Sequence, residues 1–126
     1  MLPENDLKIL VVDDFSATRS LVINQLRKIG YNNMFEAEDG FSALARLKSA
    51  LFDLVVIEWS MSDMTGLDLL KQIRADSELK HIPILMITSE DLQESIVTAI
   101  KAGLNDYIVR PFDELKFKQK LEEILI

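Results

Sequence analysis

The chain has 126 residues, 48% of them apolar, and carries 21 acids against 14 lysines and arginines, for a formal net charge of -7. That size and apolar content fit one globular domain spanning residues 1–126 and exclude a disordered chain. The acidity argues against nucleic acid and anionic membranes as partners, and the absence of cysteine excludes thiol and disulfide chemistry. No apolar run approaches the length of a membrane span, and no export signal opens the chain, so a cytoplasmic location is expected.

In chain order, the first strand-like run is "LKILVV" at 7–12, followed by the acid pair Asp13-Asp14. Val22, Leu26 and Ile29 then recur at helical spacing, and Gly30 is placed to end that helix. A second strand, "MFEA" at 34–37, precedes Asp39-Gly40 and a stripe of Phe41, Leu44 and Leu47. The third strand, "DLVVI" at 53–57, runs straight into Glu58, an acid at the end of a run that reads as buried on both faces. After Gly66 come Leu69 (or Leu70) and Ile73. The fourth strand, "IPILMIT" at 82–88, ends at Thr88 and gives way to a helix with Ser89 as its cap, Leu92, Ile96 and Ile100 as its stripe, and Gly103 as its stop. The fifth strand, "DYIV" at 106–109, leads into Arg110-Pro111, and a last stripe of Phe117, Leu121 and Ile124 closes the chain.

Five strands alternating with five helices predict an α/β fold, a doubly wound parallel sheet covered on both faces. Such sheets bind ligands beyond the carboxyl ends of their strands. The residues at those ends are Asp13, Asp14, Glu58, Thr88 and Arg110, with Ser89 beside them. If the first, third, fourth and fifth strands lie near one another, three carboxylates, a hydroxyl and a guanidinium converge. One acid after a strand is most often a helix cap or a solvated turn residue. Two facing a third are more informative, because like charges resist company without a cation.

"ILVVDDFSATR", "EAEDG", "GLDLLKQIRAD", "PILMIT" and "AGLNDYIVRPF", in this order and spacing, resemble the receiver domain of bacterial two-component response regulators, and most of all the single-domain chemotaxis regulators. The resemblance covers essentially the whole chain. It implies a flavodoxin-like sheet of order 2-1-3-4-5 and a role in signal transduction, not an enzyme. It also implies Mg2+ held at Asp13, Asp14 and position 58, a phosphoryl acceptor at position 58, and Thr88 and residue 110 contacting the phosphoryl group. Tyr107 would be an aromatic that changes rotamer with that group, and Pro111 a cis proline. The implied partner surface is the fourth helix, fifth strand and fifth helix, with Glu90, Glu94, Tyr107 and Lys116 on it. A sensor kinase, a motor protein or another signalling protein would dock there, with a homodimer as a further option.

Three departures bear on function: the acceptor Asp is Glu58, the Lys is Arg110, and the usual Met-Pro is Met61-Ser62. Phosphoryl transfer needs an attacking oxygen in line with its donor, and a misplacement of about 1 Å costs on the order of 100-fold. Glu58 is one methylene too long for an aspartate's place. Arg110 is a planar fork that pairs with carboxylates. The expectation is an atypical receiver of one of two kinds. Either Glu58, partnered by Arg110 and with Thr88 as a further candidate partner, partly stands in for a phosphorylated aspartate and holds an active-like state, or the site has decayed to an ordinary salt bridge with no switch. The alternatives are a phosphorylatable Mg2+-dependent receiver and an engineered Asp-to-Glu mimic. Metal stays open: the acids sum to -3 and Arg110 returns +1, which could attract Mg2+, or the guanidinium could take the cation's place, and the reading leans to weak or absent metal. A flavin- or nucleotide-binding module is disfavoured by the acidic first turn and the lack of a glycine-rich phosphate loop.

Overall fold

The computed structural model describes residues 6–89 and 93–125. Its elements are β1 (Lys8–Val12), α1 (Ser16–Ile29), β2 (Asn33–Ala37), α2 (Gly40–Ser49), β3 (Leu54–Glu58), α3 (Gly66–Ala75), β4 (Ile84–Thr88), α4 (Gln93–Lys101), β5 (Asp106–Val109) and α5 (Glu114–Leu125). The strands form one parallel sheet in the order β2-β1-β3-β4-β5. That is the expected α/β doubly wound, flavodoxin-like architecture, with every crossover passing through a helix.

Strand geometry sorts the core into two layers. Successive side chains point to opposite faces, so Ile9 and Val11 pack with Val22, Leu26, Phe117 and Leu121 of α1 and α5. Leu10 and Val12 face the other way, toward Ala43, Leu47, Leu69, Ile73 and Ala99 of α2, α3 and α4. β3 and β4 lie at the centre of the sheet and are buried on both faces, which is why they read as continuous apolar runs.

The register carries the site. Val12 lies opposite Ile57, and Glu58 lies opposite Ile87. The residues that follow β1, β3 and β4 therefore emerge at one level on one edge. Gly30 ends α1 as expected: its φ of 124° is open to glycine, and its N–H bonds the carbonyls of Leu26 and Arg27. Asp39 and Thr65 cap α2 and α3 by accepting from the N–H groups of Ser42 and Asp68.

Two helical stripes differ from expectation. α2 buries Gly40, Ala43 and Leu47, whereas Phe41 is 64% exposed. A methyl group at Gly40 would run into the Met64 side chain, so the helix packs on its smallest residues and turns Phe41 outward. α4 likewise buries Ile96 and Ala99 and exposes Ile100. The expected Leu92 position lies outside the described residues, as does Glu90. In both helices the buried face mixes a small residue with a large one, Gly40 and Ala43 with Leu47 in α2 and Ala99 with Ile96 in α4.

Candidate functional site

The carboxyl edge gathers most of the expected site. Asp13, directly after β1, is 2% exposed. Its N–H donates to the Ala37 carbonyl at 3.2 Å, and its Oδ1 accepts from the Phe15 N–H at 3.0 Å. Phe15, not either aspartate, is the N-cap residue of α1. Glu58 ends β3 with its side chain 11% exposed, and Arg110 follows β5 with its side chain 27% exposed. Arg110 Nη1 donates to Glu58 Oε1 at 2.7 Å. Arg110 Nη2 lies 3.9 Å from Asp13 Oδ2, a charge contact without a hydrogen bond.

The backbone holds this arrangement. The Arg110 N–H donates to the carbonyl of Thr88 at 2.7 Å, tying the start of the β5–α5 loop to the end of β4. The Trp59 N–H donates to Ile87 across the sheet at 2.8 Å and also reaches Glu58 Oε2 at 3.1 Å. Gly66 fits under this turn, where a Cβ would strike the Glu58 carbonyl and Met86, and its N–H closes the loop onto the Trp59 carbonyl at 2.9 Å. Thr88 is buried at 5% exposure beside the pair. The Arg110–Pro111 peptide is cis.

Burial dominates the electrostatics. Desolvation pushes the Glu58 carboxyl above its ordinary range, and hydrogen bonding and charge attraction from Arg110 only partly offset it. Desolvation raises Asp13 as well, opposed by the Phe15 N–H and by Arg110. Two unit charges about 4 Å apart near a protein surface attract by about 4 kcal/mol, but removing both from water consumes much of that. The pair is thus a geometric constraint more than a source of stability.

Asp14 parts company with its neighbour. Its Oδ2 accepts from the N–H of Ser62 at 3.0 Å and from the Ser62 hydroxyl at 2.8 Å. Arg19 of α1 is a second guanidinium that the sequence reading overlooked. Its Nη1 donates to the Asp13 carbonyl at 2.7 Å, and its Nε pairs with Glu36 of β2 at 2.8 Å. Arg19 also lowers the Asp13 pKa by its charge, so the acid cluster faces two cations. Its signal was spacing alone: one helical turn beyond the β1 loop, where a long side chain can reach back.

These contacts decide how well the site suits Mg2+. Both Glu58 oxygens, Asp13 Oδ1 and Asp14 Oδ2 already accept hydrogen bonds. Asp13 Oδ2 and Asp14 Oδ1 are buried and unbonded, but the first faces Arg110 Nη2, itself buried and unbonded. Among the described residues no group of three or more His, Cys, Asp or Glu is arranged to hold a metal. Mg2+ is commonly held by one or two carboxylates with waters in octahedral positions, so the fit turns on Asp13 Oδ2 and Asp14 Oδ1, and the first of these already faces a guanidinium.

On the far edge, Tyr107 of β5 is half-buried, and its N–H donates to Asp106 Oδ1 at 2.8 Å. Lys120 of α5 pairs with Asp106 at 3.0 Å and lies 5.6 Å from the centre of the Tyr107 ring. A groove of about 400 Å³ brings Tyr107, Pro111, Phe112, Lys116 and Lys120 together. Glu94, exposed on α4, is not among its lining residues. A larger groove of about 620 Å³ runs between α1 and Pro111–Phe112, with Arg110 on its wall and the acids outside it.

Comparison with known proteins fits this geometry. Residues 9–122 match the family described as the response regulator receiver domain. Chemotaxis protein CheY-3 of Vibrio cholerae is 55% identical over 119 residues, covering 94% of this chain and 92% of that one. Chemotaxis protein CheY of Pseudomonas aeruginosa is 48% identical over 118 residues, covering 94% and 95%. The solved structure of V. cholerae CheY4 superposes with a TM-score of 0.87 at 34% identity, covering 94% of this chain and 98% of that one. With the match running over residues 9–122 and these two curated relatives at 48% identity or more, the chain belongs to the response regulator receiver family, as a CheY-like member.

Proposed function

We propose that this chain is an atypical, stand-alone receiver of chemotaxis-type two-component signalling that acts by protein–protein contact without relying on aspartyl phosphorylation. The observation that carries this reading is the 2.7 Å bond between Arg110 and Glu58. It pairs a negative charge with a guanidinium at the two positions that the family resemblance gives to the phosphoryl acceptor and its lysine. Glu58 is also too long to present an oxygen where an aspartate would. The guanidinium takes the place of a metal cation, so Mg2+ is not required. The protein is not an enzyme, and it works in the cytoplasm.

The partner surface is α4, β5 and α5, with Glu94, Tyr107 and Lys116 on it. Support comes from the groove that joins Tyr107 to Lys116 and from the Asp106–Lys120 pair that frames the Tyr107 ring. The partner is a sensor kinase, a motor protein or another signalling protein, and a second copy of the chain would use the same face.

A second reading is a receiver that can still be phosphorylated. It is favoured by the two unbonded acid oxygens, Asp13 Oδ2 and Asp14 Oδ1, which have lone pairs to offer. Incubation with acetyl phosphate and Mg2+, followed by intact mass, separates the two. The proposed function expects no adduct; a stoichiometric phosphoryl adduct overturns it in favour of the second reading.

A further inference from the structure

Ser62 stands where the receiver family carries proline. Its N–H and its hydroxyl both donate to Asp14 Oδ2, at 3.0 and 2.8 Å. A proline could make neither bond, since it has no N–H and no hydroxyl. Bonds to an ionised acceptor are the stronger kind, and this pair joins two loops 48 residues apart in sequence. The β3–α3 loop that carries Ser62 is braced on both sides. Buried Met61 and Met64 hold it to the core, and Gly66 closes it onto Trp59. Ser62 is therefore an exposed residue on a constrained loop, held over Asp14.

The contact has a chemical consequence. Two donors on one oxygen fix the plane of the Asp14 carboxylate, so its unbonded Oδ1 cannot turn independently of the Ser62 loop. A hard divalent ion needs its oxygens to turn toward it in octahedral directions. Asp14 is tied by Ser62 on one side of the pocket, and Asp13 and Glu58 face Arg110 on the other. These are two separate obstacles, made by residues on different loops.

We infer that Ser62 is a positioning residue that latches the β3–α3 loop onto Asp14, and that this latch blocks divalent-cation binding independently of Arg110. The inference rests on the reading of the site as phosphorylation-independent, but it makes a narrower claim. Replacing Arg110 alone leaves the acid pair closed, and opening it requires loss of the Ser62 donors as well.

The test uses the full chain and Mn2+, a hard oxygen-seeking ion whose free form is counted by electron paramagnetic resonance. Four proteins are titrated: the parent, Arg110→Lys, Ser62→Pro, and the double variant Arg110→Lys/Ser62→Pro. The inference expects no stoichiometric Mn2+ binding at millimolar ion in the parent, Arg110→Lys or Ser62→Pro, and one ion bound in the double variant; a double variant that binds no ion overturns it. Stoichiometric binding by Arg110→Lys equal to that of the double variant overturns it, because Arg110 would then be the only obstacle. So does binding by the unaltered parent.

If Ser62→Pro does not fold, amide exchange supplies the answer without it. In the parent, the Ser62 N–H should exchange at least about tenfold more slowly than in Asp14→Ala, the smallest change expected from one hydrogen bond to a charged group. Equal rates overturn the latch. The phosphorylation assay is independent of both: an adduct on the parent removes the proposed function, whereas Mn2+ binding by Arg110→Lys removes only the latch.

Discussion

Two arginines mark the two ends of the sheet, and they are built in opposite ways. Arg74, at the amino end, bonds only neutral oxygens. Its Nε donates to Gly103, its Nη1 to the carbonyls of Lys80 and Ile82, and its Nη2 to the Asn105 side chain, all at 2.7 to 3.1 Å. Asn105 Oδ1 in turn accepts from the Ile84 N–H at the start of β4. Arg110, at the carboxyl end, has one bond to a carboxylate and one buried, unbonded Nη2. Arg74 is satisfied and therefore fixed; it ties α3 to the segments that enter β4 and β5. Arg110 is held by charge and keeps an unmet donor, which leaves its pocket capable of a second arrangement. In the same fold, one guanidinium is structural and the other belongs to a site.

The largest expected effect breaks the structural side of this contrast. Arg74→Met removes bonds to four oxygens, the one to the Ile82 carbonyl partly buried and the rest exposed, so it should cost about 2 kcal/mol in urea unfolding. Glu58→Leu/Arg110→Met removes a partly buried ion pair as a unit and should lie within about 1 kcal/mol of the parent. The contrast fails if the two variants are equally destabilised.

The next effect concerns chemistry. Restoring a reactive edge should require three changes together: Glu58→Asp, Arg110→Lys and Ser62→Pro. With acetyl phosphate and Mg2+, the triple variant should be phosphorylated at least about 100-fold faster than Arg110→Lys/Ser62→Pro, which keeps Glu58, the order of effect that placing an attacking group correctly can have. If Glu58→Asp/Arg110→Lys already matches the triple variant in an intact-mass time course, Ser62 has no part in disabling the site.

The pH dependence sharpens the site side. Burial raises the Glu58 and Asp13 carboxyls above their ordinary values of 4.5 and 3.8. A carboxyl whose pKa is higher folded than unfolded binds more protons in the folded chain between the two values. Its contribution to stability is complete below the unfolded pKa and is lost as pH rises through that window. This is the reverse of an acid whose folded pKa is depressed by its partner. Glu58→Gln removes the Glu58 part of the slope, so its stability relative to the parent should improve as pH rises from about 4 to 7, measured by urea unfolding at each pH. A relative stability that falls over that range would mean that Arg110 outweighs burial.

The two ends also differ in what the sequence revealed. The alternation of strand and helix patterns was legible because burial on both faces writes continuous apolar runs such as Leu54–Ile57. That alternation put Asp13, Glu58 and Arg110 at the carboxyl ends of their strands, and the strand order implied by the family resemblance brought those ends together. The partners of the two arginines were less equally visible. Glu58 faces Arg110 because strand ends are aligned by register, and register follows from the strands themselves. Arg74 meets Gly103 and Asn105, Ser62 meets Asp14, and Arg19 meets the Asp13 carbonyl through loops whose closure no local pattern encodes. The exposed Phe41 and Ile100 show the same limit in the core. A stripe of large apolar residues suggests a buried face, but α2 turns Gly40 inward because Met64 of the β3–α3 loop leaves no room there for a side chain, and α4 buries Ala99 in place of Ile100.

The smallest expected effect tests whether the far edge behaves like Arg74 or like Arg110. Lys120 pairs with Asp106 while lying near the Tyr107 ring, and Asp106 also accepts from the Tyr107 N–H. The Lys120 and Asp106 side chains are each 22% exposed, so water screens the pair, and Lys120→Met should cost only about 0.5 kcal/mol. Its consequence for Tyr107 should be larger than its consequence for stability. Without the ammonium, the ring has one fewer contact fixing its orientation on an edge strand. The aromatic resonances of Tyr107 should shift or broaden, while those of Phe117, fully buried in the opposite layer's core, should not. If both rings respond alike, Lys120 braces the α5 packing as Arg74 braces the other end. If only Tyr107 responds, the groove between β5 and α5 has an adjustable aromatic set by a weak, breakable pair, which is the property a partner-binding face requires.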